Sequence, residues 1–129
     1  MPLITDFHHV SVIVSDLETS LAFYRDLLEL ELDSSRPDLS YPGSWLTIGH
    51  YQIHLMELAN PYAKSTLPEH GGRDRHFALA THDIDSIIQK LEQSNIQYTL
   101  SKSGRKALFC RDPDNNVLEF VEQSPDVMD

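Results

Sequence analysis

His9-Val10-Ser11-Val12-Ile13-Val14-Ser15-Asp16-Leu17-Glu18-Thr19-Ser20-Leu21 and His76-Phe77-Ala78-Leu79-Ala80-Thr81-His82-Asp83-Ile84-Asp85-Ser86-Ile87-Ile88 read as one passage written twice. An offset of 67 positions carries His9 onto His76, Asp16 onto Asp83, Leu17 onto Ile84, Glu18 onto Asp85 and Leu21 onto Ile88. Further along, Ile53-His54-Leu55-Met56-Glu57 falls on Leu118-Glu119-Phe120-Val121-Glu122 at an offset of 65, so His54 meets Glu119. One shorter loop accounts for the change of offset. Self-similarity of this kind marks a duplicated unit. The chain is therefore expected to be a single domain, residues 1–129, built from a module at 5–58 and a second at 75–122. The linker at 59–74 carries the loop formers Pro61, Pro68, Gly71 and Gly72. The tail at 123–129 is acidic and expected to fray.

Each module has the same layout. Residues 7–14 alternate and are rich in Val and Ile, which predicts a strand. Ser15 to Glu18 has the Ser-x-x-Glu form of a capping box, with Asp16 as the alternative cap. Leu17, Leu21, Tyr24 and Leu28 then recur at helical spacing and predict a helix ending near Leu28. Strands are expected at 30–34, 44–48 and 51–58, giving β-α-β-β-β. Module two repeats the order. A strand at 76–80 precedes a helix capped by Asp83 with Ile84, Ile87, Ile88 and Leu91 on one face, and strands follow at 97–100, 107–111 and 117–121. Asp112-Pro113-Asp114-Asn115-Asn116 reads as a turn between the last two, Asn being tolerant of a positive φ. The fold class expected is α+β with tandem βαβββ modules.

Composition narrows the functions. The 129 residues are 40% hydrophobic and 23% charged, an ordinary globular mixture. Asp and Glu number 20 against 10 Lys and Arg, for a net charge of −10. That charge repels polyanions, so neither nucleic acid nor an anionic membrane surface is an expected partner. No apolar run approaches the ~20 residues of a membrane span. Residues 1–6 lack the basic-then-apolar pattern of a signal, and the lone Cys110 excludes an intrachain disulfide. The expected location is cytoplasmic. Seven histidines stand out in so small an acidic chain.

Strand alternation sorts those histidines. Val10, Val12 and Val14 share one face of the first strand, opposite His9, Ser11 and Ile13. Phe77 and Leu79 oppose His76 and Ala78; Ile53 and Leu55 oppose His54; Leu118 and Phe120 oppose Glu119. The large apolar residues need helices to cover them. His9, His54, His76 and Glu119 then all point the other way, with small Ser11 and Ala78 leaving room for a ligand. Three imidazoles and a carboxylate are donors suited to Zn, Ni, Mn, Fe or Co. His9, His54, His76 and Glu119 are accordingly the metal-binding candidates. Glu119 and His54 are also the catalytic candidates, an imidazole of ordinary pKa near 6.5 suiting a ligand or a pocket base.

Other residues take quieter expectations. His8 belongs to the apolar face or its edge, and His50, His70 and His82 to surface turns. Trp45 and Tyr24 read as core. Arg73, Arg75 and Arg111 are candidates for an anionic substrate, though pairing with surface acids is the expected use. Nothing near Cys110 in sequence activates it.

The opening His9-Val10-Ser11-Val12 with Asp16-Leu17-Glu18-x-Ser20-Leu21-x-Phe23-Tyr24-Arg25-Asp26-x-Leu28, the segment Arg75-His76-Phe77-Ala78-Leu79, and the closing Asp112-Pro113-Asp114-Asn115-Asn116-Val117-Leu118-Glu119 resemble the vicinal oxygen chelate superfamily. That superfamily includes glyoxalase I, bleomycin-resistance proteins, extradiol dioxygenases and fosfomycin-resistance proteins. The resemblance covers nearly the whole chain. It implies a half-barrel sheet around a metal cup, ligands at His9, His54, His76 and Glu119, a small-molecule substrate and a homodimer. It also implies a lyase, isomerase, dioxygenase or thiol-transfer reaction at the metal. The alternative it implies is a metal-free drug-binding protein of the bleomycin-resistance type. A regulatory protein that reuses the fold is a third reading. Three positions depart from the pattern. His54 stands where glyoxalase I has a proton-transferring glutamate, which counts against lactoylglutathione lyase activity. Glu29 and Asn115 stand where the family has glycines.

Overall fold

A computed structural model describes residues 2–125. The chain is α+β, with two four-stranded mixed sheets and few helices, and it divides into two compact units, Met1–Ala63 and Lys64–Asp129. Most of the acidic tail expected at 123–129 lies outside the described residues. Among the described residues no helix is long and apolar enough to cross a membrane.

In the first unit, β1 (His9–Val14) leads into α1 (Leu17–Leu21), followed by β2 (Glu31–Asp33), β3 (Gly43–Ile48) and β4 (Tyr51–Glu57). The sheet order is β1-β4-β3-β2, with β1 parallel to β4 and the rest antiparallel. In the second unit, β5 (His76–Thr81), α2 (Ile84–Gln93), β6 (Tyr98–Leu100), β7 (Ala107–Arg111) and β8 (Val117–Glu122) repeat the order, with the sheet β5-β8-β7-β6. The duplication holds in register. Ser11 lies opposite His54 in the first parallel pair, and Ala78 lies opposite Glu119 in the second. A strand needs a partner for its N–H and C=O groups. That pairing sets the first strand at His9 rather than at residue 7, and Phe7 is left 88% exposed.

Burial follows the alternation in β1, β3 and β4; in β5 the apolar Phe77 and Leu79 are half-buried, and β7 and β8 are buried on both faces. Val12, Val14, Leu46, Ile53 and Leu55 form the core of the first unit with Leu21, Phe23 and Tyr24. Leu108, Cys110, Leu118 and Phe120 form that of the second with Ile84 and Leu91. Asp16, not Ser15, caps α1, its carboxylate accepting from the Glu18 N–H at 3.1 Å. The helix does not stay α-helical to Leu28. It widens into a π-helical stretch, Ala22–Leu27, in which the Leu28 N–H donates to the Phe23 carbonyl. The wider turn brings both Phe23 and Tyr24 inward, packed edge to face with centroids 4.9 Å apart. An α-helical stripe names only Tyr24. The turn at 112–116 is organised by buried Asp112, whose Oδ1 accepts from the N–H groups of Asp114 and Asn116. Asn115 sits at φ 69 and Glu29 at φ 60, so both replace a family glycine where the backbone is left-handed.

Candidate functional site

Each unit brings two of the four candidate residues together. In the first unit the His9 and His54 rings stack, with centroids 4.0 Å apart and planes 18° off parallel. Trp45 stacks on His54 at 4.5 Å. Trp45 is opposite His54 in the β3–β4 register and shares its face, so it belongs to the site and not to the core. The His54 Nε2–H donates to Gln52 Oε1 at 2.9 Å, and the Gln52 amide donates to Asp33 Oδ2 at 2.7 Å. The backbone and side chain of Ser35, with Gln52, hold the Asp33 carboxyl below its ordinary range. Burial lowers the His54 pKa to about 4, with the neighbouring imidazoles of His9 and His8 adding to the shift. His54 is therefore neutral throughout the physiological range. Its ring nitrogen opposite Gln52 carries a free lone pair near neutral pH. His9 Nδ1 lies 2.8 Å from Nδ1 of His8, which is exposed just before β1.

In the second unit, Nε2 of His76 lies 3.3 Å from Oε1 of Glu119. The carboxylate is buried; its other oxygen accepts from Nη2 of Arg105 at 3.2 Å. His76 Nδ1 is 2.8 Å from the Asp74 carbonyl, an acceptor only, which assigns the ring proton to Nδ1. Arg111 fixes Asp74 in turn, through Nη1 to Oδ2 at 2.8 Å. Burial raises the Asp74 carboxyl; its bonds to Arg111 and the Arg75 N–H overcome this and hold it below its ordinary range. Arg111 also donates to the carbonyls of Asn115 and Pro68. It pairs with an acid, as expected, but that acid is half-buried and not at the surface.

Two of the four donors, His76 and Glu119, are chemically suited to a divalent cation. With Nδ1 protonated, a neutral His76 turns a bare Nε2 lone pair toward the Glu119 oxygen. Two facing lone pairs repel unless a cation or a proton lies between them. Donors each ~2.1 Å from one ion and roughly at right angles stand ~3 Å apart, close to the separation seen. Among the described residues no group of three or more His, Cys, Asp or Glu side chains is gathered in a metal-binding arrangement. What each unit holds is a pair.

The quieter expectations resolve individually. His50 is exposed at its turn. His70 is half-buried; its Nδ1 accepts from the Gly72 N–H and its ring packs on Phe109. His82 reaches the Gln123 carbonyl through Nδ1. Tyr24 is fully buried. The Cys110 thiol is buried and pushed up to about 12 by desolvation, so it is no nucleophile. Arg105 escaped the sequence reading because no repeat position or strand face marks a loop residue. A basic cluster at 102–106 in an acidic chain was the available signal.

Residues 6–120 match the family described as the Glyoxalase/Bleomycin resistance protein/Dioxygenase superfamily. The protein YwkD of Bacillus subtilis is 32% identical, the match covering 94% of this chain and 99% of that one. Metallothiol transferase FosB of Staphylococcus epidermidis is 29% identical over 91% of this chain and 81% of its own. The crystal structure of the glyoxalase family protein from Enterococcus faecalis aligns with a TM-score of 0.69 at 22% identity, over 94% of this chain and 100% of that one.

Proposed function

The chain belongs to the glyoxalase/bleomycin resistance protein/dioxygenase superfamily, and from that membership we propose that it is a divalent-metal-dependent enzyme. Its substrate is a small molecule presenting two neighbouring oxygens, and His9, His54, His76 and Glu119 are its metal-binding set. One observation carries the reading. Each of the three histidines is tied through one ring nitrogen: His9 to His8, His54 to Gln52 and His76 to the Asp74 carbonyl. Metal-ligating histidines are oriented in this way, one nitrogen anchored and the opposite one left as the donor. His54 and His76 donate from the anchored nitrogen; with His9 donating to His8, its Nε2 likewise keeps its lone pair.

A divalent cation held by these residues supplies Lewis acidity toward an enolate or oxyanion. The chain's own contribution is orientation. Gln52 and Asp33 fix the His54 ring, Trp45 walls it, and Arg111 holds the side chain of Asp74, whose backbone carbonyl aims His76. The reaction is of lyase, isomerase, dioxygenase or thiol-transfer type. The metallothiol transferase relative supports a place in that range. Titrating chelator-treated protein with Zn²⁺, Ni²⁺, Mn²⁺ and Fe²⁺ tests the proposal. Stoichiometric uptake of at least one ion is expected. No uptake of any of them rejects it and leaves metal-free ligand binding, as in bleomycin-resistance proteins, as the function.

A further inference from the structure

Three of the chain's ten basic residues, Lys102, Arg105 and Lys106, fall in the connection between β6 and β7, a local excess of positive charge in a molecule of net charge −10. They are not equivalent. Lys106 is engaged by Glu122 at 3.3 Å and Asp85 at 3.7 Å. Arg105 turns to the candidate site. One Nη2–H donates to Glu119 Oε2 at 3.2 Å, and Nε–H reaches Ser103 Oγ at 3.4 Å. A guanidinium has five N–H donors, so most of its donor capacity remains. The Arg105 side chain is 61% exposed while the Glu119 carboxylate it touches is 5% exposed. A solvent-facing cation thus supplies the counter-charge of a buried carboxylate, from a loop whose Gly104 sits at φ 86 with open space around it.

We propose that Arg105, beside Glu119, forms a metal-gated binding site for a carboxylate or phosphate group of the substrate. The inference rests on the metal-binding role of Glu119 given above. In the metal-free protein Glu119 occupies the guanidinium and an anion gains little there. Once the Glu119 charge is shared with a dication, the guanidinium loses its counter-charge and faces like charge instead. An anionic group restores the balance, and the planar fork of Arg105 is suited to receive it in a bidentate manner. The site selects substrates that carry a negative group next to their chelating oxygens.

The test uses Ni²⁺ and two probes with the same chelating head, neutral acetohydroxamate and the carboxylate-bearing monohydroxamate of succinate. Calorimetry on the wild-type protein, Arg105→Gln and Arg105→Lys reads the affinity of each probe with and without Ni²⁺. The nickel-loaded wild type is expected to favour the anionic probe by about tenfold, the worth of one charge-assisted hydrogen bond. Arg105→Gln is expected to bind Ni²⁺ no more weakly than the wild type and to lose that preference. Arg105→Lys retains part of it. An unchanged preference in Arg105→Gln overturns the inference, as does equal binding of the anionic probe without nickel. In both cases the metal-site reading stands. Failure to bind Ni²⁺ or acetohydroxamate at all overturns that reading and this inference with it. Circular dichroism confirms that each variant is folded.

Discussion

His54 is sandwiched between His9 and Trp45, and this explains its low pKa better than any single charge does, since burial is the largest cause. Trp45 is the chain's one tryptophan, so it reports on the ring it touches. Imidazolium quenches indole emission more strongly than imidazole. Fluorescence is expected to fall as the pH drops through about 4, and His54→Gln is expected to remove that step. A midpoint near 6.5 contradicts the packing described. The same shift has a stability consequence. The unfolded chain protonates this histidine first, near 6.5, so its contribution is complete above that pH and is lost as the pH falls toward 4. Strain is expected at one of two left-handed positions, Glu29 and Asn115. Asn tolerates φ 69 at little cost, whereas Glu29 at φ 60 has no such excuse. Glu29→Gly is expected to stabilise by up to about 1 kcal/mol after the added chain entropy of glycine is subtracted, and Asn115→Gly by less. Urea unfolding measures both, and a larger gain at Asn115 refutes the strain argument. The departures from the family glycines were visible in the sequence, but their backbone angles were not.

At the scale of elements, the repeat extends to how the helices are held. Glu57 at the end of β4 accepts from the Leu17 N–H of α1 at 2.8 Å, and Glu122 at the end of β8 accepts from the Ile84 N–H of α2 at 3.0 Å. A carboxylate from the last strand thus satisfies one of the first amides of each helix and faces its positive end. Glu57→Gln is expected to cost about 1 kcal/mol, read from chemical denaturation. No loss argues that the contact is solvent-screened. These elements show what was legible. Alternation placed the strands to within a residue or two, and His9 onto His76 placed both modules, because half-buried strands carry a period of two. The π-helical stretch was not legible, since inward packing of adjacent Phe23 and Tyr24 breaks the 3.6-residue period used to find helices. Trp45 was misread as core because size alone does not say which face of β3 it occupies; the register opposite His54 does. The histidine tethers depend on loop residues such as Asp74, which no periodicity marks.

For the whole molecule, the duplication means that each unit brings one pair of the proposed ligands together from its first and last strands: His9 with His54, and His76 with Glu119. Each sheet ends on two edge strands within its own unit, β1 and β2 in one and β5 and β6 in the other. Unpaired edges favour association. Sedimentation is expected to show a homodimer at micromolar concentration, and a clean monomer contradicts that. The proposal to be tested is that His9, His54, His76 and Glu119 are ligands of a bound divalent metal. X-ray absorption on nickel-loaded protein tests it most directly. Three imidazoles and a carboxylate around the metal are predicted, with no sulfur, and one imidazole fewer in His9→Ala and again in His76→Ala. A sulfur donor, or an imidazole count unmoved by substitution in either unit, would contradict it.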